Sequence, residues 1–370
     1  MRPFKIGVIA DCFRLGPRAG VKKAKSLGAD GVQIWAVSGE MSPERMNRAA
    51  RQEFRKFCEG LGVEISALCG DLGGHGFQRA DRNPLKVARS MRIVDLAADL
   101  GTKVVTTHIG VVPDDASSEV YQAMLAACRE LGAYAEQKGI CFAIETGPEK
   151  ATVLRSFLEE VGSRGIGVNL DPANLIMVLN DDPVAAVDTL SSHIVHTHAK
   201  DGVQLAPCDP VEVYNAFAEG GVEGLDFGKL FNEEPLGRGN VDWDAYLDAL
   251  ERIGYRGYLT IEREVGDDPG RDIEAAVRFL NKKLGRPADA GTRASERRRG
   301  AVPKAAKPVR VGIVGLGFMG KTHFNSYAAI PGAEVVALPS YTPERFQCDS
   351  VRHPDLLRDF PLRVLGGNTR

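Results

Sequence analysis

The sequence lacks the cysteine pattern of a disulfide framework. Its seven cysteines are an odd number, and none of them forms a CxxC pair. We therefore expect reduced thiols, packed mostly as small core residues, in a cytoplasmic protein.

Long apolar runs are also absent. No stretch approaches the roughly 18 apolar residues that a membrane span requires. The first apolar run, in MRPFKIGVIADC, is too short and too early for a signal peptide. The sequence therefore predicts a cytoplasmic location and no membrane partner.

The chain has no excess of either charge. It contains 47 Lys and Arg against 49 Asp and Glu, which gives a formal net charge of −2. This balance gives no reason to expect nucleic acid as a partner. At 370 residues and 44% hydrophobic content, the chain can form one α/β domain of about 250 residues and a smaller part.

Short β-branched or apolar runs recur along residues 1–284, separated by segments with helical spacing. Strict alternation of strand and helix implies parallel strands, and eight units fit a closed barrel better than an open sheet. We therefore predict an α/β fold in which residues 1–284 form a (β/α)8 TIM barrel. The predicted strands are 4–11, 31–36, 63–69, 103–108, 140–145, 166–171, 193–198 and 257–262.

Two features of the connections are informative. In SPERMNRAARQEFRKFCEGLG, Ser42 is predicted to cap a helix that Gly62 ends. The connection after the seventh strand, residues 202–240, is much longer than a typical loop of about 2–6 residues. Its place at the carboxyl end of the barrel suggests a substrate lid.

Beyond Leu284 the composition changes. Residues 285–310 contain no aromatic residue and carry eight Lys and Arg against two Asp and Glu. We interpret 285–309 as a basic flexible linker rather than a nucleic-acid-binding segment.

The last segment, residues 310–370, contains the motif GLGFMG. Its glycines Gly315, Gly317 and Gly320 lie between a predicted strand and helix, the setting for pyrophosphate at a helix amino terminus. The segment resembles the opening of the glucose-fructose oxidoreductase/inositol dehydrogenase family. The acidic residue expected to hold the ribose after EVVAL is missing. We therefore interpret 310–370 as a truncated Rossmann-like NAD-binding fragment without a working NAD site.

Polar residues end six of the predicted strands, on the face of a barrel that carries the active site. These are Asp11, His108, Glu145, Asp171, His198 and Glu262. Three carboxylates and an imidazole converging there would repel one another and lose hydration unless a cation lay among them. The donors Glu145, Asp171, Glu262 and His198 favour Mn²⁺, Mg²⁺ or Co²⁺, with zinc as a less natural alternative.

The segment HIVHTHAKD, residues 193–201, offers three histidines for this site. Side chains alternate along a strand, so His196 and His198 share a face and His193 points away. His198 lies at the level of the other strand ends, and His196 lies roughly 6–7 Å deeper. We assign His198 to the metal and His196 to the surrounding shell or the packed core.

The sequence resembles the xylose isomerase-like TIM-barrel superfamily, in particular its sugar phosphate isomerase/epimerase branch. The residues that carry the resemblance are HIG 108–110, FAIETGP 142–148, GVNLDPANL 167–175, HTHAKDG 196–202 and GRGNVDWDAYLDALERIGYRGYLTIERE 237–264. The resemblance implies a metal bound by Glu145, Asp171, His198 and Glu262. It also implies that Glu145 and Glu262 are the catalytic proton-transfer residues.

These observations predict a divalent-metal-dependent sugar or sugar phosphate isomerase or epimerase. A chelated hydroxyketone becomes acidic at the adjacent C–H, because the cation stabilises the enediolate. Return of the proton gives epimerisation or aldose–ketose isomerisation, and loss of a β-hydroxyl gives dehydration, as in the similar inosose dehydratases. The expected partner is a small sugar or sugar phosphate, and a homo-oligomer is allowed.

Two other functions are open. An AP endonuclease-like metal phosphodiesterase of the same superfamily needs a trinuclear zinc cluster, for which seven histidines, two of them outside the barrel, are few. The second of these functions is that of a barrel that binds sugars without catalysing a reaction.

Six further residues are candidates for contacting the substrate. They are His108, Lys200, Arg238, Trp35, Asp11 and His196. Each has an ordinary alternative. Lys200 meets either a substrate phosphate or a rim acid, Arg238 is otherwise a solvated loop residue, and Trp35 either stacks on a sugar or packs in the barrel.

Overall fold

The computed structural model describes residues 2–220, 226–286, 309–312 and 333–337. Eight parallel strands close into a barrel, which confirms the predicted (β/α)8 fold. Each predicted strand corresponds to one barrel strand. The bounds are β1 Lys5–Ile9, β2 Gly31–Trp35, β3 Glu64–Cys69, β4 Val104–Thr107, β5 Cys141–Glu145, β6 Ile166–Leu170, β7 Ile194–Ala199 and β10 Tyr258–Ile261. Around the barrel their order is β1-β10-β7-β6-β5-β4-β3-β2.

Helices cover the outside of the barrel, and their buried faces form one core with the outward apolar residues of the strands. Val105, Phe142 and Leu259 are among these outward residues. The helices are α1 Pro17–Ser26, α2 Arg48–Leu61, α3 Asn83–Leu100, α4 Glu119–Gln137, α5 Ala151–Val161, α6 Pro172–Asn174, α7 Pro183–Thr189, α8 Pro210–Ala218, α9 Phe227–Leu230, α10 Trp243–Arg252 and α11 Pro269–Lys283. A π-helical turn, Leu175–Leu179, follows α6.

The barrel lumen is polar, as the alternation of side chains predicts. Inside it, His196 bonds both Asn169 and Thr260. Gly7 of β1 makes room for this layer, because a Cβ at that position would collide with the Thr260 hydroxyl. The missing side chain thus lets a hydroxyl enter the lumen beside His196.

The predicted start of α2 is wrong. The helix begins at Arg48, and Asn47 caps it by accepting a bond from the Ala50 N–H at 3.0 Å. The Ser42 hydroxyl instead donates to the Gly39 carbonyl at 3.0 Å and holds a preceding turn. Gly62 ends the helix as predicted, with φ of +62°.

The long connection after β7 folds at the carboxyl end of the barrel. It contains a two-stranded antiparallel sheet, β8 Asp201–Gln204 with β9 Phe231–Glu234, and the helices α8 and α9 between them. In α8, the Tyr214 ring packs edge-on against His108 at 5.6 Å, and Asn215 bonds His75 at 3.1 Å. This connection therefore contacts residues at the mouth of the barrel.

In the carboxyl-terminal part, Val309–Gly312 and Ala333–Ala337 form a two-stranded parallel sheet. The three glycines of GLGFMG and most of the predicted linker lie outside the described residues. The Rossmann interpretation of 310–370 therefore has no support beyond these two strands.

Across the described residues, none of the helices has the length and apolarity to cross a membrane. The cysteines in this part of the chain are free thiols.

Candidate metal centre

Four side chains that could hold a metal, called the quartet below, meet where β5, β6, β7 and β10 end. Glu145 closes β5, Asp171 directly follows β6, His198 lies in β7 and Glu262 directly follows β10. One donor atom from each lies within 4.8 Å of the others. The cause is topological, since these four strands are consecutive neighbours in the barrel and parallel neighbours lie about 4.8 Å apart.

The two carboxylate oxygens of Asp171 have different surroundings. Oδ1 caps α6 by accepting bonds from the Ala173 and Asn174 N–H groups at 2.8 and 3.0 Å. Oδ2 is buried and accepts no hydrogen bond from any described residue. It lies 3.4 Å from His198 Nδ1. The capping role therefore uses one oxygen and leaves the other for a ligand.

Glu145 is held by amide groups on both of its oxygens. Asn174 Nδ2 donates to Oε1 at 3.1 Å and Asn169 Nδ2 donates to Oε2 at 3.3 Å. Gly147 allows the first contact, because a Cβ there would collide with Asn174. Burial would raise the pKa of Glu145, but the charges of His198 and His108 outweigh burial and lower it.

Glu262 is paired with Lys200, whose Nζ lies 3.1 Å from Oε2. Burial alone would raise the pKa of Glu262, but Lys200 and His198 lower it to about 2. The same ammonium lies 3.4 Å from Glu264 and 3.9 Å from Glu233. Lys200 is thus a buried cation among three carboxylates.

His198 points Nδ1 at the carboxylates and Nε2 across the lumen. Nδ1 lies 3.1 Å from Glu262 and 3.4 Å from Glu145. Nε2 lies 3.2 Å from Gln33 Oε1. Burial would lower the pKa of His198, but the two glutamates raise it well above the ordinary value. The cause of this shift is the negative charge of the glutamates that converge on the ring.

The sequence of this barrel places it among known proteins. Residues 21–283 match the family model described as xylose isomerase-like TIM barrel. The chain belongs to this family.

Solved structures with this barrel include three informative neighbours. A xylose isomerase domain protein from Planctomyces limnophilus is 29% identical, with a TM-score of 0.63 over 76% of this chain and 99% of that chain. The probable 3-DHS dehydratase AsbF from Bacillus anthracis is 18% identical, with a TM-score of 0.59 over 75% and 99%. D-psicose 3-epimerase from Clostridium cellulolyticum H10 is 17% identical, with a TM-score of 0.57 over 76% and 99%. The last two likenesses show the fold alone.

A curated relative matches less of the chain. An uncharacterized protein of Methanocaldococcus jannaschii is 25% identical over 198 residues, which is 50% of this chain and 59% of that protein. The chain therefore spans less than two thirds of that relative.

Two other predicted site residues of this xylose isomerase-like barrel, His108 and His196, differ in exposure. His108 is partly exposed, and its Nε2 lies 3.6 Å from Glu145 Oε1. Burial would lower the pKa of His108, but Glu145 and Asp71 raise it. His196 is fully buried, and Asn169 and Thr260 occupy its two ring nitrogens at 2.8 and 3.0 Å. It has no nitrogen left for a substrate, and burial lowers its pKa to about 3.

Three predicted substrate residues, Asp11, Trp35 and Arg238, do not join the quartet. Asp11 accepts a bond from the Trp35 N–H at 3.0 Å, which ties the end of β1 to the end of β2. Burial raises the pKa of Asp11. The Trp35 side chain is 41% exposed rather than packed. Arg238 is exposed in the turn after β9.

The sequence patterns did not predict several residues that lie near the site. Gln33 contacts His198, and Asn174 contacts Glu145. The available signal for Gln33 was its polar side chain at an inward position of GVQIW. Glu149 is buried, accepts a bond from the Val112 N–H at 3.1 Å, and leaves Oε1 unbonded by any described residue. Burial raises the pKa of Glu149 to about 8. The surrounding segment, ETGPEK, has no feature that predicts a buried carboxyl group at Glu149.

Proposed function

We propose that this protein is a divalent-metal-dependent isomerase or epimerase of small sugars. The observation that carries the proposal is the buried quartet, in which His198 Nδ1 lies within 3.4 Å of both glutamates and an Asp171 oxygen accepts no hydrogen bond from the described residues. Structural neighbours with this barrel include sugar epimerases and a dehydratase.

The donor set fits a divalent cation. Three carboxylates and one imidazole form an oxygen-rich site that favours Mn²⁺, Mg²⁺ or Co²⁺. A cation bound by these residues would stabilise the negative charge that forms on substrate oxygens when the carbon beside a carbonyl loses its proton.

The two glutamates are suited to move that proton. They come from β5 and β10, on opposite flanks of β6 and β7. Both pKa values are lowered, so both carboxylates are ionised at neutral pH and can accept a proton. Removal by one and return by the other to the opposite face inverts a carbon. Return to the neighbouring carbon interconverts an aldose and a ketose.

The charges around Lys200 favour an uncharged sugar over a sugar phosphate. Lys200 is the residue at this site that the sequence offered for a phosphate. Its ammonium already faces Glu262, Glu264 and Glu233 within 3.9 Å. A phosphate placed there would meet more negative than positive charge.

A substrate screen tests this function. Ketoses, ketose phosphates and inososes are incubated with the protein and Mn²⁺ or Co²⁺ in D₂O, and proton NMR follows the signal of the α-proton. We expect exchange and a new epimer or isomer with an unphosphorylated ketose. Absence of exchange with every ketose would contradict the proposal.

Dehydration is the second candidate function, because His108 lies beside Glu145 and can serve as a general acid. Its raised pKa favours the protonated form that would donate to a departing hydroxyl. In the same screen, dehydration would be recognised by loss of water from an inosose or a related keto-polyol.

The phosphodiesterase alternative is separated by metal content. We expect about one metal per chain, since the described residues contain one such group of ligands. Three zinc ions per chain and cleavage of an abasic duplex would favour the phosphodiesterase.

A further inference from the structure

Gln33 contacts His198 from the far side of the lumen. Gln33 lies in β2, and β1 and β10 separate this strand from β7 in the barrel. Its Oε1 lies 3.2 Å from His198 Nε2. Both side chains are about 1% exposed, so water does not compete for this contact.

The other end of the Gln33 amide contacts a second buried side chain. Gln33 Nε2 donates to the Thr106 hydroxyl at 3.1 Å, and Thr106 is equally buried in β4. In this arrangement the NH₂ group of Gln33 faces Thr106 and its carbonyl oxygen faces the imidazole.

Metal binding gives this contact a chemical role. A neutral imidazole that binds a cation through Nδ1 must carry its proton on Nε2, and a buried N–H without an acceptor is costly. Gln33 Oε1 is that acceptor. Asn169 Nδ2 also lies 3.2 Å from Nε2 and 3.4 Å from Nδ1, but an amide NH₂ group only donates, so it cannot accept the Nε2 proton.

We propose that Gln33 is a positioning residue that keeps the proton of His198 on Nε2 and leaves Nδ1 free for the metal. The inference rests on the proposed metal centre. Gln33 touches neither the substrate nor the metal, and it acts through the ring that binds the metal.

Metal affinity of matched variants tests this role. Gln33→Leu removes the acceptor, and we expect Mn²⁺ affinity measured by calorimetry to fall about 10- to 100-fold. Gln33→Glu keeps an oxygen at the same position, and we expect it to restore affinity to within a few fold of the parent. Thr260→Val is the control, because it removes a hydroxyl from the same lumen that bonds His196 instead.

Nitrogen-15 NMR of the parent loaded with diamagnetic Mg²⁺ or Zn²⁺ provides a second readout. We expect the His198 proton on Nε2 and metal coordination at Nδ1. A proton on Nδ1, or a folded Gln33→Leu variant with parental Mn²⁺ affinity, would overturn the inference and leave the metal centre standing. A parent that binds no Mn²⁺ would overturn both.

Discussion

At the scale of single residues, Asp171 combines a structural role with a proposed metal-binding role. Its Oδ1 caps α6, and its Oδ2 lies 3.4 Å from His198 Nδ1 and accepts no hydrogen bond from the described residues. The two oxygens can therefore be tested separately.

Asp171→Asn keeps a capping oxygen and removes the second carboxylate oxygen. We expect the variant to lose Mn²⁺ binding while its metal-free stability exceeds that of Asp171→Ala by about 1 kcal/mol, the usual value of a cap. Calorimetric titration and urea unfolding measure the two effects. Equal metal-free stabilities of the two variants would show that the cap contributes little.

Glu149 predicts a dependence of stability on pH. Its folded pKa is raised to about 8, whereas an unfolded glutamate ionises near pH ~4.3. The unfolded chain therefore loses this proton first, and stability falls as pH rises from about 5 to 8. We expect Glu149→Gln to exceed the parent by about 2 to 4 kcal/mol at pH 8 and to match it near pH 4.5.

Urea unfolding of the metal-free proteins at both pH values measures this difference. Glu53→Gln is the control, because Glu53 is exposed in an ion pair with Arg18. A difference between Glu149→Gln and the parent that does not change with pH would contradict the assignment.

The sequence predicts the quartet residues but not the residues that hold them. Period-two alternation and strand ends are local properties, so Glu145 and His198 can be placed at one end of the barrel from sequence. The contacts of Gln33 and Asn174 depend on distances across the lumen and on a glycine-dependent approach. No local pattern encodes these distances.

At the scale of elements, the buried side chain of Asp201 forms hydrogen bonds with both ends of the connection after β7. Its Oδ1 accepts bonds from the Gly202 and Val241 N–H groups. Its Oδ2 accepts from the Gly237 N–H and the Trp243 indole N–H. One carboxylate thus joins the beginning of β8 to the chain that enters α10.

Asp201→Ala leaves these four donors without their acceptor. We expect a loss of about 2 to 4 kcal/mol in unfolding free energy and faster cleavage within residues 202–240 by limited proteolysis. Asp209→Ala, which removes a cap from α8 in the same connection, should cost about 1 kcal/mol. Equal cleavage rates in the two variants would remove Asp201 from this role.

Helix starts were less predictable than helix ends. Ser42 and Asn47 are both good capping residues, and the choice between them depends on which one follows the turn at residues 39–46. Gly62 and Gly101 mark helix ends directly, because their positive φ angles favour glycine.

At the scale of the whole molecule, strand number, closure and the position of the quartet follow from the alternation of strand and helix. The register of neighbouring strands then brings acids from β5, β6 and β10 into mutual repulsion around His198. A cation bound there should relieve this repulsion and stabilise the barrel.

We therefore expect Mn²⁺ to raise the melting temperature of the parent and EDTA to reverse the change. The gain should reach about 2.7 kcal/mol at a metal concentration of about 100 times Kd. His198→Ala should show no such shift. Differential scanning calorimetry measures both proteins, and an equal shift in the variant would place the stabilising metal elsewhere.

The most direct measurement is exchange of the substrate α-proton with D₂O, followed by proton NMR at saturating Mn²⁺, for the parent, Glu145→Gln and Glu262→Gln. We predict exchange by the parent that stops in EDTA, and a loss of about 10²-fold or more in each variant. Exchange that persists in EDTA, or that proceeds at the parental rate in both variants, would contradict a metal-dependent proton transfer by these two glutamates.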